Sequence, residues 1–557
     1  MNDLTAIAPD KVLGILDFNY VMDRILPVTP YGREFKKDMK PFARGREEEL
    51  RDHLDVIETI LELIRDNRLT FIEIRTIMHD VKDLRQSMHR AGKGISLNMV
   101  ELFELKAFVF QVRHLYEKME PFTSRLPEQF GLIPLECLER LLDPENAGSK
   151  SFYIYDSYSE DLKHIRKKKH ILENEFTAKQ KELIKKAQED LGLNFRPGGE
   201  ITVSKNQRDL LEAIEEYEGL SYLSESYINI TFKVKPTPEM DALKQQIETL
   251  RGMEQEEEEN IRAKLTGEIA EYREELLANT GRIGLLDFYI ALAYFAREIK
   301  GTKPGITAAD MVSIKNGRHP LVEERLKEDN EEYQPVSISV DKGVTVITGA
   351  NMGGKSVSLK MVGLLVLMAQ YGMFVPAEEM LMGLKDFVYA SMGDTQSVQT
   401  GLSTFGAEVS DMIEALDKSS RYGLILIDEL ARGTNPREGH AICAAIVKYL
   451  VRKNSICIIT THFDGIGNLE GVKHLQVGGL KGIDTAELKS TIAGDPSRGV
   501  EIIRKHMDFR LYPAGEDASV PRDAIKIASL MGLREDILDT AMDILGHGDG
   551  SSVPFLR

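Results

Sequence analysis

Tryptophan is absent from the 557 residues, aromatic residues reach only 7%, and cysteine occurs three times, at Cys137, Cys443 and Cys457. The cysteines lie far apart and form no CxxC pair, so neither a zinc site nor a disulfide framework is indicated, and reduced core thiols are the expectation. A basic surplus is also missing: 71 Lys and Arg stand against 89 Asp and Glu, a formal net charge of −18. Sequence-independent nucleic-acid binding needs phosphate neutralisation, so the balance argues against a dedicated binder of that kind, although a local basic face is compatible with it. Met1 to Asp10 holds no basic segment followed by an apolar run, and no stretch of about 20 apolar residues stands out as a membrane span. The expectation is a cytoplasmic protein with no membrane partner.

Hydrophobic residues make up 42% and charged residues 29% of a chain long enough for roughly three or four domains. Asp52 to Arg65 repeats apolar residues at three- and four-residue steps and predicts a helix, as does Val100 to Tyr116. Phe152 to Tyr158 reads as extended and Leu162 to Leu191 as a long charged helix. Asn194 to Lys205 reads as a turn and short strand, and Tyr227 to Val234 alternates like a strand. Glu239 to Leu277 is the longest helical pattern, its acidic block Glu254 to Glu259 predicted as a solvated face. Gly281 and Gly284 are expected to bend the helix before Leu285 to Ile299. From about residue 305 short apolar strands alternate with helices, the pattern of a parallel α/β sheet. Domain boundaries are placed near 150, 238 and 304.

Val344 to Thr348 is a β-branched run followed by Gly349, Ala350, Asn351, Met352, Gly353, Gly354, Lys355 and Ser356, and then by a predicted helix from Val357 to Gln370. This is G-x-x-x-x-G-K-[ST] between strand and helix. The glycines let backbone N–H groups converge on phosphate oxygens, Lys355 supplies charge to the β- and γ-phosphates of ATP, and the Ser356 hydroxyl is a ligand for Mg²⁺. Downstream, Leu424 to Ile427 predicts a buried strand ending in Asp428 and Glu429. Asp428 is suited to the Mg²⁺ shell and Glu429 to orienting or deprotonating the attacking water; positioning and charge neutralisation are most of what phosphoryl transfer requires. A third strand, Ser455 to Thr461, ends at His462, a candidate partner for the γ-phosphate or the water.

These segments resemble the MutS family. Gly349 to Ser356 is similar to that family's phosphate loop, with Ala350 where the family typically has proline. Asp428 to Gly439, including Arg432, Gly433 and Thr434, resembles its acidic strand and loop. Gly393 to Ser397, Leu402 to Phe405, Thr461-His462-Phe463 and Gly317 to Leu321 also fit. In the N-terminal half, Thr29 to Arg33 and Gly284 to Ala296 are similar to the start of its helical core and to its returning lever helix. The resemblance implies a helical core with long lever and clamp helices, followed by an α/β P-loop NTPase domain of ABC type. The segments would be 1–150 helical core, 151–238 lever and clamp region, 239–304 returning lever helix, 305–515 ATPase domain and 516–557 C-terminal dimerisation helices.

By the same resemblance the chain works as a homodimer, or a heterodimer with a related subunit, in which Ser403 approaches the γ-phosphate bound by the partner. No wedge domain of the mismatch-reading members is expected before the core; Phe71-Ile-Glu73 carries the letters inside a helical segment. The motif spacing is nearest the MutS2 subgroup, and no C-terminal nuclease domain is expected. Arg166-Lys-Lys-Lys-His170, the one compact basic run, lies where a clamp arm would be and has a solvated helix face as its plain alternative. Two functions follow: an ATP-switched clamp on branched or recombining DNA, or an ATP-driven factor that remodels a protein client.

Overall fold

The apolar periodicity of the N-terminal half resolves into helices. Helix Glu47–Asp66 buries Leu50, Leu54, Ile57, Ile60, Leu63 and Ile64, one stripe at three- and four-residue steps. Helix Met99–Met119 starts at a capping box: the Asn98 side chain accepts from the Val100 and Glu101 N–H groups, and the Glu101 carboxylate accepts from the Asn98 N–H. The computed structural model describes residues 7–149, 151–349, 354–392, 404–431, 435–480, 499–515 and 523–546. It forms two compact units. One comprises Met1–His79, Pro121–Phe130 and Ile283–Arg557, the other Asp80–Glu120 and Gly131–Arg282.

In the second unit, helices Glu160–Leu191 and Pro238–Glu271 lie side by side. Arg166 meets Glu254 and Glu258, Arg251 meets Glu173, and Lys179 meets Glu239, a descending register that makes the pair antiparallel. Between them the chain folds into a three-stranded antiparallel sheet of β1 (Glu200–Ser204), β3 (Asn229–Val234) and β2 (Leu220–Glu225), in that order. Helix Arg208–Glu216 packs on it around Ile201, Val203, Ile214 and Phe232. Phe152 to Tyr158, predicted as extended, contains no strand and ends in a 3-10 turn, Asp156–Tyr158. The acidic block is not a uniformly solvated face. Glu254 takes both Arg166 and Lys169, Glu258 takes Arg166, and Glu257 accepts from the Ser159 hydroxyl.

Gly281 and Gly284, expected to bend the helix, do not interrupt it. The chain breaks instead at Tyr272, and helix Arg273–Glu298 runs through both glycines. Gly284 is there for contact: a Cβ would sit 2.7 Å from the Tyr31 Cβ. This helix is long and apolar enough to cross a membrane, but 72% of its most apolar window is buried inside the protein, as in a core helix.

Among the described residues the first unit holds two sheets. The smaller has the order β4 (Gly305–Ile306), β8 (Glu379–Met382), β5 (Met311–Gly317), β6 (Val336–Asp341). The larger has the order β13 (Asp508–Pro513), β12 (Val472–Gly479), β7 (Gly343–Thr348), β11 (Ile456–Thr460), β10 (Gly423–Ile427), β9 (Phe387–Ser391). All neighbours in the larger sheet are parallel except β12 and β13. Strands β7, β10 and β11 are buried along their whole length, as expected of strands covered on both faces. Cys443 and Cys457 sit in that core, whereas Cys137 is exposed, against the expectation of three core thiols. The N-terminal segment joins the same unit: the Val388 N–H donates to the Ile7 carbonyl, and Leu16 fills the space left by Gly363 of helix Lys355–Gln370.

Candidate functional site

In an open parallel sheet, ligands gather beyond the carboxyl ends of the strands, where the connections change direction. Here β7, β11 and β10 are consecutive neighbours, so the residues following Thr348, Thr460 and Ile427 emerge side by side. The Thr461 N–H donates to the Ile347 carbonyl at 3.2 Å, and the Asp428 N–H donates to Ser391 at 2.9 Å, extending the pairing past the strand ends. Beneath the loop, the Thr348 hydroxyl and the His474 Nε2 of β12 lie 2.8 Å apart.

Gly349 and Gly354 open and close the loop with φ of +143° and +77°. A Cβ at Gly349 would fall 2.9 Å from Val477 and one at Gly354 2.9 Å from the Phe509 ring, so conformation and contact both demand glycine. Gly354 caps helix Lys355–Gln370, whose first turn directs its N–H groups and dipole at the loop. Ala350, Asn351, Met352 and Gly353 lie outside the described residues, as do Ser403, Gly393 to Ser397 and Arg432 to Thr434.

The Lys355 side chain is 5% exposed, and its ammonium donates to the Gly349 carbonyl at 2.7 Å. Burial lowers its pKa, while the nearby Glu429 and Asp428 carboxylates raise it. Ser356 donates its hydroxyl to Asp428 Oδ2 at 2.6 Å, joining the helix start to the end of β10. The buried Thr460 hydroxyl donates to Asp428 Oδ1 at 2.6 Å and accepts from the Glu429 N–H at 2.9 Å. Glu429 and Ala431 have φ of +53° and +63°, sparsely populated for residues with a Cβ and typical of functional turns. His462 follows Thr461 at the end of β11, exposed, its ring against Phe463.

The structure thus brings Gly349, Gly354, Lys355, Ser356, Asp428 and Glu429 to one sheet end. Ser356 and Asp428 offer two hard oxygen donors in contact, a set suited to Mg²⁺, which binds through one or two protein oxygens and keeps several waters. Next to Gly354 opens a cavity of about 700 Å³ walled by Val357, Leu326, Tyr333, Met507 and Phe509. Sequence reasoning passed over Thr460 and the cavity's aromatic residues. Thr460 had a signal, a hydroxyl at the last position of an apolar strand. Tyr333 and Phe509 had none, because their position depends on the approach of two distant segments.

Residues 345–545 match MutS domain V. The chain is 30% identical over 500 residues to the endonuclease MutS2 of Halothermothrix orenii, an alignment covering 84% of this chain and 59% of that protein. It is 29% identical over 486 residues to the putative endonuclease MutS2 of Bacillus subtilis, with the same coverage, and 26% identical over 550 residues to the endonuclease MutS2 of Shouchella clausii, covering 95% and 67%. The chain therefore spans 59% of the length of the first two relatives. With similarity running through both the loop strand and the acidic strand whose ends the sheet sets side by side, the chain belongs to the MutS family.

Proposed function

We propose that the chain binds and hydrolyses ATP with Mg²⁺, and that this reaction switches a dimeric clamp. The observation that carries the reading is the contact of Ser356 with Asp428 beside buried Lys355, with Glu429 next in the chain. Lys355 would neutralise the β- and γ-phosphates, and the loop N–H groups and helix start would orient them. Glu429 would orient the attacking water and accept its proton, and His462 would donate a hydrogen bond to the γ-phosphate. Ser356 and Asp428 would hold Mg²⁺, which supplies neutralisation of the charge that develops between the phosphates. The cavity beside Gly354, which sets Leu326, Tyr333, Val357 and Phe509 beside the charged Glu331 and Arg504, suits the flat face and polar edge of the adenine base. Ser403 would act on the partner's nucleotide, so that ATP draws two ATPase domains together. A ligand held by the clamp would then sense the nucleotide, provided it prefers one of the two states.

The relatives are named endonuclease MutS2, and DNA, branched or recombining, is the first candidate for the clamped ligand. One observation favours a protein client instead. The basic run expected to meet phosphates is partly spent internally, Arg166 on Asp156, Glu254 and Glu258 and Lys169 on Glu254. The small sheet between the long helices exposes Tyr222, Leu223, Tyr227 and Ile228, and residues 192–236 carry five Lys and Arg against seven Asp and Glu. Fluorescence anisotropy with duplex, junction and single-stranded DNA, at about 50 and 200 mM salt, separates the two. A steep salt slope supports the DNA clamp. No binding at low salt, with turnover stimulated by a protein client, supports remodelling.

A further inference from the structure

Thr460 is fully buried at the end of β11 and makes two bonds that converge on the acidic pair. A threonine hydroxyl has one proton to give. Here the proton goes to Asp428 Oδ1 at 2.6 Å, while the oxygen accepts the Glu429 N–H at 2.9 Å. The other Asp428 oxygen is taken by Ser356, also at 2.6 Å. Each carboxylate oxygen is thus gripped by a hydroxyl, one from the helix after the phosphate loop and one from the neighbouring strand. Bonds of this kind, with an ionised acceptor, are short and about twice as strong as neutral ones.

The second bond matters because of where Glu429 sits. Its φ of +53° is unusual for a residue with a side chain, and such a conformation persists only where its surroundings hold it. The Thr460 oxygen is one of those holds. The next residue, Thr461, is directed elsewhere: its hydroxyl accepts the Phe463 N–H at 3.1 Å and its own N–H goes to Ile347.

We propose that Thr460 is a positioning residue for hydrolysis, its single hydroxyl fixing Asp428 and the backbone of Glu429 in mutual register. This rests on the ATPase reading above. Thr460→Val keeps the β-branched shape and removes the hydroxyl, whereas Thr460→Ser keeps the hydroxyl and removes the methyl. In the full chain with Mg²⁺, Thr460→Val should lower kcat about tenfold or more, the scale of a lost buried hydrogen bond to a catalytic group. The Kd for a fluorescent ATP analogue in EDTA should stay within about twofold. Thr460→Ser should recover most of the turnover, and Thr461→Val should leave kcat within about twofold. Thermal unfolding checks that each variant folds; Thr460→Ala is the second variant and carries the same expectation as valine. Three results overturn the inference alone: wild-type kcat in Thr460→Val, a serine variant as slow as valine, or parallel loss of binding in EDTA. A wild-type chain that binds and turns over no ATP overturns the ATPase reading and the inference with it.

Discussion

His53 bolts three elements of the first unit together, and acid should loosen it. It lies on helix Glu47–Asp66, with Nδ1 2.6 Å from the Tyr289 hydroxyl of helix Arg273–Glu298 and Nε2 3.0 Å from the carbonyl of Gly372, just beyond the phosphate-loop helix. A carbonyl only accepts, so Nε2 carries the proton and Nδ1 accepts from Tyr289. Protonation would give Nδ1 a hydrogen as well, so that the tyrosine hydroxyl would have to turn and accept, and would place a charge in a buried site. Burial lowers the His53 pKa from 6.5 to about 4, with the Gly372 carbonyl acting in the opposite direction. Because the folded value lies below the unfolded one, the unfolded chain takes up the proton first. The stabilisation is therefore complete above about pH 6.5 and is lost as pH falls towards 4. At 1.36 kcal/mol per pKa unit the full loss is about 3 kcal/mol, of which about 2.5 kcal/mol has gone by about pH 4.5.

The comparison is with His53→Gln, whose amide can still donate to Gly372 and accept from Tyr289 but does not titrate. Urea unfolding followed by circular dichroism, at about pH 7.5 and about pH 4.5, measures the difference between the two proteins at each pH. Acid effects common to both cancel. The wild type should lose about 2.5 kcal/mol more than the variant between the two conditions. Equal losses would refute the account of His53 as a neutral, buried connector.

Three further outcomes follow. Gly284→Ala should destabilise by about 1–3 kcal/mol, because its Cβ would overlap Tyr31, while Gly281→Ala, with open space around it in the same helix, should stabilise by up to about 1 kcal/mol; thermal unfolding shows whether the signs are opposite. Lys355→Ala should abolish binding of a fluorescent ATP analogue while leaving the circular dichroism spectrum unchanged, since the buried cation that would neutralise the incoming phosphates is lost. Arg166→Met should lower stability by about 1–3 kcal/mol, because Glu258 and Asp156 lose their charged donor and Glu254 keeps only Lys169, and should leave the salt slope of any DNA binding unchanged.

The strand–loop–helix around Gly349, the strand before Asp428 and the strand before His462 were legible because each is a short, uninterrupted apolar run bounded by punctuating residues. Helix Glu47–Asp66 was legible because its buried stripe has the helical period, whereas helix Met99–Met119 buries Phe108 to Val112 without a break and was legible from its length and apolar content. Strand order was not: that β11 lies between β7 and β10 is a matter of long-range pairing, and only that order makes Thr460 a neighbour of Asp428. The role of Gly284 in contact was not legible, because a glycine's missing side chain looks the same in sequence whether it serves flexibility or the approach of Tyr31. The acidic block was misread for a related reason. Its partners, Arg166 and Lys169, are on an antiparallel helix about 85 residues away, and a charge run does not show which of its members face another helix.

The central claim is that one end of the larger sheet holds and hydrolyses Mg²⁺-bound ATP, with Glu429 as the residue that readies the water. Phosphate release by the wild type and by Glu429→Gln, each shown to bind the ATP analogue, tests it most directly. The account predicts release by the wild type that stops in EDTA and a variant that binds as tightly yet releases essentially none. A wild type that takes up no nucleotide, or a glutamine variant that hydrolyses at the wild-type rate, would contradict it.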